Sequence, residues 1–290
     1  MKIGVVCYPT FGGSGVVATE LGIQMAKNGH EIHFITYSQP VRLDILEPNI
    51  FYHEVHDYPL FTYQPYELAL SSKMVDTVLT EGIDILHVHY AIPHAYAAYM
   101  AKQILLEKGV YLPIVTTLHG TDITLVGKHP SYKPAVTFSI NQSDFVTTVS
   151  KSLKKDTLSS FVIKKEIEVI PNFIDIKLYD KDPLCDRTQM APNGEKIVAH
   201  ISNMRKVKRI PNIIEAFYKI QEATPAVLLM IGEGPECELA EQQAKDLGIF
   251  HRVKFLGKTS EIERLLCMSD LFLLPSETES FGLAALEAMA

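Results

Sequence analysis

Several common chemical devices are missing from this chain of 290 residues. Its cysteines, Cys7, Cys185, Cys237 and Cys267, are scattered, with no Cys-x-x-Cys and no metal-type pairing. That excludes a disulfide scaffold and a zinc ribbon, and it fits reduced thiols in a cytoplasm. Positive charge is not in excess: 27 Lys and Arg stand against 34 Asp and Glu, a net charge of −7. A nucleic-acid binder or an anionic-membrane binder would show the opposite balance, although a local basic patch can still meet a phosphate. The first apolar run stops at Tyr8 and Pro9, too short for a signal peptide or a membrane span. The chain reads as cytoplasmic, with no membrane and no nucleic-acid partner.

What is present is alternation. At 47% hydrophobic content the chain can bury two separate cores. Apolar strand patterns fall at 2–7, 31–37, 50–55, 84–89, 114–118, 144–149 and 167–170. Helical periodicity falls between them at 15–27, 64–81, 93–108 and from 151 onward. Residues 171–195 lapse into Asn, Asp, Pro and Lys and read as a linker. The pattern then restarts, with strands 197–202, 227–231, 253–256 and 271–274 and helices 211–223, 235–247 and 260–267. Strands joined by helices of this length mean right-handed βαβ crossovers and parallel sheets. The expectation is an α/β protein of two doubly wound, Rossmann-like domains, 1–170 and 196–290, with ligands in a cleft at their carboxyl-end loops. The last helix pattern carries no stop signal before Ala290, so the second domain is expected to be incomplete.

The chemistry-bearing residues sit where the strands end. Gly13-Ser14-Gly15-Val16-Val17-Ala18 satisfies a Gly-x-Gly-x-x-Ala dinucleotide fingerprint, but the second strand ends Ile35-Thr36-Tyr37-Ser38 without the acid that grips a ribose. The loop, with Gly12 added, is better suited to facing a phosphate or carboxylate with its backbone N–H groups. His87, His89, Tyr90 and His94 leave the fourth strand together. They lack the matched acid or cysteine of a metal set, so they read as cleft-wall hydrogen-bonding groups. Thr116-Thr117-Leu118-His119-Gly120-Thr121-Asp122 follows the fifth strand, where Asp122 can orient the loop and His119 can face a sugar hydroxyl or phosphate. Ser202-Asn203-Met204-Arg205-Lys206-Val207-Lys208-Arg209 offers four cations after the first strand of the second half, a candidate diphosphate clamp. Gly232-Glu233-Gly234-Pro235 and Leu256-Gly257-Lys258-Thr259 are turns suited to walling a nucleoside. Glu279 and Glu287 bracket a Phe281-Gly282-Leu283 turn into an Ala/Leu-rich helix, a Glu-x7-Glu spacing that can hold the hydroxyls of a polyol.

Taken in order, these motifs together with Pro171-Asn172-Phe173-Ile174-Asp175 resemble the retaining glycosyltransferases of the two-domain GT-B fold along the whole chain. More narrowly, Cys7-Tyr8-Pro9-Thr10-Phe11-Gly12-Gly13-Ser14-Gly15, His89–Ala95 and 202–209 resemble the branch that moves N-acetylglucosamine from UDP-N-acetylglucosamine to L-malate in the first step of bacillithiol biosynthesis. The resemblance implies a UDP-sugar donor, a small dicarboxylate acceptor and no metal or other cofactor; Asp180-Lys181-Asp182 sits in the linker, where solvation explains it. It assigns donor-sugar hydroxyls to Glu279, ribose hydroxyls to Glu287, and diphosphate to Arg205 and Lys208, with Arg209 as substitute. His119 positions the sugar. Gly12, Gly13, Gly232, Gly234, Thr259, Phe281, Gly282 and Leu283 complete the donor site. Ser14, Tyr90, Thr117 and Asn172 serve the acceptor, with Arg42 or Lys128 as its cation. A homo-oligomer is compatible with this reading. Two other classes share the motifs: a GT-B transferase with a polysaccharide or lipid acceptor, and a GT-B epimerase, phosphorylase or non-catalytic nucleotide-sugar binder. The lack of a basic amphipathic membrane helix counts against the lipid acceptor.

Overall fold

The computed structural model describes all residues except 11, 44–46, 57–64 and 180–184. Phe11, Gln64 and the Asp180-Lys181-Asp182 triplet therefore lie outside the described residues. The chain divides into two compact units, Met1–Asn172 and Phe173–Ala290. Residues 173–195, a linker by composition, cluster with the second unit.

The first unit runs β1 (Lys2–Val6), α1 (Gly13–Lys27), β2 (Glu31–Thr36), β3 (Ile50–Glu54), α2 (Tyr66–Glu81), β4 (Ile85–His89), α3 (Tyr96–Glu107), β5 (Ile114–Leu118), α4 (Lys133–Gln142), β6 (Phe145–Thr148), α5 (Lys151–Ser160) and β7 (Ile167–Val169). Its seven strands are all parallel, in the order β3-β2-β1-β4-β5-β6-β7. Alternate residues of the central strands β1, β2 and β4 feed two cores. Val6, Ile35, Leu86 and Val88 pack with Met74 of α2 and Ala98 of α3, while Ile3, Val5, Ile32 and Phe34 pack with Ala18 of α1. Burial on both faces explains why these strands read as mostly apolar runs and not as a strict polar–apolar alternation. The strand order reverses between β1 and β4, which opens a crevice at their carboxyl ends.

Two departures from the sequence reading bear on the site. The helix expected at 93–108 begins at Tyr96, because Ile92, the residue before Pro93, is held extended at φ −133° and ψ 141°. The turn Ala91–Ala95 that results carries His94. Helix α4 has no counterpart in the sequence reading. It buries only Val136, Ser139 and Ile140, too few apolar positions to make a visible stripe.

The second unit runs β8 (Lys196–Ile201), α6 (Ile210–Ala223), β9 (Ala226–Ile231), α7 (Cys237–Asp246), β10 (Val253–Gly257), α8 (Ile262–Met268), β11 (Leu271–Phe272) and α9 (Leu283–Met289). The parallel order is β10-β9-β8-β11, so the reversal falls between β8 and β11. Asp270 fixes that pairing: its carboxylate accepts from Ile197 N at 2.8 Å and Lys196 Nζ at 3.0 Å, and it pairs with Arg187. Among the described residues no helix is long and apolar enough to cross a membrane.

Candidate functional site

In the first unit the polar groups gather at the carboxyl ends of β1, β4 and β5. Register places Val6 beside Val88 and His89 beside Thr117, so these ends lie side by side. Gly15, in the first turn of α1, lets the helix start close to β1: a Cβ there would lie 2.4 Å from the Tyr8 carbonyl oxygen. That approach brings Ser14 Oγ within 2.6 Å of the Tyr90 hydroxyl. Tyr90 holds a left-handed backbone at φ +84°, a strained conformation of the sort retained where a side chain must be aimed. Its ring lies against Tyr8 at 5.4 Å and His119 at 5.3 Å between centroids. Burial pushes the Tyr90 hydroxyl up to about 12, so it stays a neutral donor.

Behind this pair stands a buried histidine network. His89 Nδ1 meets His119 Nε2 at 2.8 Å, and His94 Nδ1 donates to the His89 carbonyl. His87 Nε2 reaches Thr117 Oγ1 at 2.7 Å, and Thr117 Oγ1 in turn reaches Thr147 Oγ1 at 2.7 Å. Thr117 therefore lies beside the site with its hydroxyl already shared by two neighbours. Desolvation pushes His87 and His94 down to about 4 and His119 to about 3, so the cluster is uncharged at neutral pH. Asp122, 2% exposed, laces the loops together. Its carboxylate accepts from Ala91 N and Gly120 N, both at 3.0 Å, and from His119 N at 3.4 Å.

The remaining first-unit candidates are more dispersed. A Cβ at Gly12 would have only Thr10 Oγ1 near it, at 3.8 Å, so the loop is open there. Gly13 opens α1. Arg42 pairs with Glu20 of α1 at 3.7 Å, while Lys128 is exposed. Asn172 is the last residue of the unit.

In the second unit the loops after β8 and β11 are tied three times. Lys208 Nζ donates to Glu279 Oε1 at 2.6 Å, Arg209 Nε to Glu277 Oε1 at 3.2 Å, and Glu277 N to the Val207 carbonyl at 2.9 Å. The Lys208 and Glu279 side chains are 17% and 27% exposed, so they keep open edges while holding each other in place. Arg205 is exposed on the same loop. Underneath, His200 Nδ1 donates to the Leu273 carbonyl at 2.8 Å, which leaves Nε2 to accept from the Ser202 hydroxyl at 2.7 Å.

Gly232 and Gly234 serve this loop by closeness. A Cβ at either would lie 2.0 Å from the Ser202 carbonyl oxygen or 2.1 Å from that of Asn203. Thr259 Oγ1 accepts from Glu261 N at 3.1 Å. Gly282, at φ +88°, turns the chain into α9, with Phe281 and Leu283 half-buried beside it. Glu287 is 9% exposed, and its Oε1 accepts from the Tyr179 hydroxyl at 3.0 Å.

Sequence reasoning passed over Tyr8, Tyr179 and Glu277, whose partners lie far along the chain. Only a tyrosine leaving β1 beside a glycine loop could have signalled the first. Among the described residues no group of three or more His, Cys, Asp and Glu is arranged to hold a metal.

Comparison with known proteins agrees with this architecture. The family described as Glycosyltransferase Family 4 matches residues 11–178, and Glycosyl transferases group 1 matches 186–290. The N-acetyl-alpha-D-glucosaminyl L-malate synthase of Bacillus anthracis is 52% identical over 100% of this chain and 76% of its own length. An uncharacterized glycosyltransferase of Methanocaldococcus jannaschii is 29% identical over 100% of this chain and 78% of its own. Among solved structures, Anabaena HepE in complex with UDP and glucose superposes with a TM-score of 0.82 at 22% identity, covering 100% of this chain and 78% of that one. Sucrose-phosphate synthase of Thermosynechococcus elongatus gives 0.76 at 20% identity, over 99% and 78%. Two parallel doubly wound units, each with its polar groups at the strand-order reversal, and two family matches that divide the chain between them make one assignment: the chain belongs to the glycosyltransferases and is a hexosyltransferase of the GT-B fold.

Proposed function

We propose that this enzyme transfers N-acetylglucosamine from UDP-N-acetylglucosamine to the hydroxyl of L-malate in the cytoplasm, opening bacillithiol biosynthesis, with retention at the anomeric carbon and no protein-held metal. The observation that carries the reading is 52% identity along the whole chain to a relative named for that product. The site chemistry supports it. A small dicarboxylate needs several donors converging on a short pocket, since an unpaired carboxylate is costly to bury. Ser14 and Tyr90 form a hydroxyl pair 2.6 Å apart beside the first turn of α1, one O–H bonding the other oxygen and one left to donate, and backbone N–H groups there add to it.

The donor end belongs to the second unit. Arg205, Lys208 and Arg209 supply the charge that neutralises a departing diphosphate. Glu279, steadied by Lys208, keeps a second carboxylate oxygen for sugar hydroxyls. In the transfer step the C1–O bond to the diphosphate breaks as the malate oxygen bonds to C1 on the same face. The malate hydroxyl proton passes to the leaving diphosphate oxygen, so no protein carboxylate becomes a nucleophile.

The experiment is product analysis with UDP-N-acetylglucosamine, with and without L-malate. An α-linked N-acetylglucosaminyl malate formed at full rate in EDTA is expected. A β-linked product, or loss of activity restored by magnesium, would contradict the mechanism; no malate-dependent product would end the acceptor assignment. Tyr90→Phe tests the pocket separately. It is expected to weaken malate about fivefold to tenfold, the worth of one hydrogen bond, with UDP affinity unchanged by calorimetry. Unaltered malate affinity would take Tyr90 out of the site.

A further inference from the structure

His89 is 1% exposed and makes a single side-chain hydrogen bond among the described residues, from Nδ1 to His119 Nε2 at 2.8 Å. Its Nε2 is buried with no partner. A neutral imidazole has one N–H and one lone pair, so the pair can be arranged in two ways. If His119 Nε2–H donates, His89 must carry its proton on Nε2, a buried N–H with nothing to receive it. If His89 Nδ1–H donates, its orphan Nε2 is only a lone pair, and His119 must carry its own proton on Nδ1.

A buried N–H without an acceptor is the rarer and costlier state, which selects the second arrangement. His94 makes the same choice next door. Its Nδ1 bonds the His89 carbonyl, which can only accept, and its Nε2 lone pair is left buried and unpartnered. A doubly protonated ring is not available at neutral pH, because burial holds His89 and His119 far below the usual histidine range.

We infer that His89 is a positioning residue for glycosyl transfer, locking His119 as an Nδ1–H donor so that His119 offers the donor sugar a hydrogen bond and not a base. His119 is 8% exposed, and its Nδ1, without a protein partner among the described residues, is not one of the fully buried polar atoms, so an N–H there can meet water or a ligand as one on His89 Nε2 cannot. The inference rests on the reading that His119 faces the donor sugar. It adds a tautomer and the residue that imposes it. The short reach from β4 to β5 explains why the bond holds: His89 is in register with Thr117, two residues before His119, and Asp122 clamps the His119 backbone.

The test has a substrate-free arm and a kinetic arm. In protein labelled with 15N in histidine, with the His119 signals assigned by their loss in His119→Gln, His119 is expected to be protonated at Nδ1 and bare at Nε2. His89→Leu, which removes the donor, is expected to move the proton toward Nε2. His89→Asn, whose amide nitrogen can stand near the Nδ1 position, is expected to keep it on Nδ1. In transfer assays His89→Leu should lose about tenfold in kcat, as the loss of one hydrogen bond predicts, with the malate KM unchanged. His89→Asn should recover most of that loss. A wild-type His119 protonated at Nε2 would overturn the inference. So would wild-type kcat in His89→Leu, or equal losses in the two variants at equal melting temperatures. The labelled-protein arm uses no substrate, so a failure of the malate reading leaves it able to decide.

Discussion

Glu279→Gln is expected to lower kcat by about a hundredfold, on the order of 3 kcal/mol of transition-state stabilisation. The substitution keeps the side-chain shape and removes the charge that Lys208 meets at 2.6 Å. On the proposed roles of these residues, two things are lost at once. Hydroxyls of the donor sugar no longer meet a carboxylate, the stronger acceptor, and Lys208, only 17% exposed, is left without its counter-ion beside the leaving diphosphate. Because the two residues touch, their substitutions should not add: Glu279→Gln combined with Lys208→Met should cost clearly less than the two single changes summed. UDP alone should bind Glu279→Gln about as well as wild type, since the role proposed for the carboxylate is at the sugar. Near-normal kcat in the single variant would remove Glu279 from the reacting centre. Strict additivity would show that the apo ion pair has no part in the bound state.

The strand-and-helix order was legible because the central strands, β1, β2, β4, β8 and β9, are largely buried and read as apolar runs. Residues such as Val5, Val6, Leu86 and Val88 announce themselves without any tertiary knowledge. What escaped was set by contacts distant in sequence. Helix α4 is held by Val136 and Ile140 against a surface that only the folded unit creates. Tyr179 reaches Glu287 across 108 positions, and Lys208 reaches Glu279 across 71. The Glu-x7-Glu spacing does not show the environments of its two carboxylates, one half-open beside a lysine and the other buried under a tyrosine. The histidines His87 and His89 of β4 looked alike in sequence. Side-chain bonds that reach two residues past the register partner separate them, His89 meeting His119 and His87 meeting Thr117.

Asp122 carries the other large effect. Asp122→Ala would leave the N–H groups of Ala91, Gly120 and His119 without their acceptor. At about 1–3 kcal/mol for each unsatisfied buried group, the variant should lose at least about 3 kcal/mol of stability and, with the loops after β4 and β5 no longer tied, most of its activity. The conservative change isolates the charge. Burial raises the Asp122 carboxyl to about 6 from its usual 3.8, outweighing the backbone N–H groups that favour the ion. A carboxyl raised on folding binds its proton more tightly in the native state. Its contribution to stability is therefore fully present below the unfolded value and is lost as pH rises through about 6. Asp122→Asn has no such slope. The stability of wild type minus that of Asp122→Asn, from paired denaturation curves, should therefore fall by about 2 kcal/mol between about pH 4 and about pH 7. Other titrating groups cancel in that difference. A gap that stays level across the window would mean that Asp122 does not change protonation there, and that its carboxylate is ionised throughout and better satisfied than its burial implies.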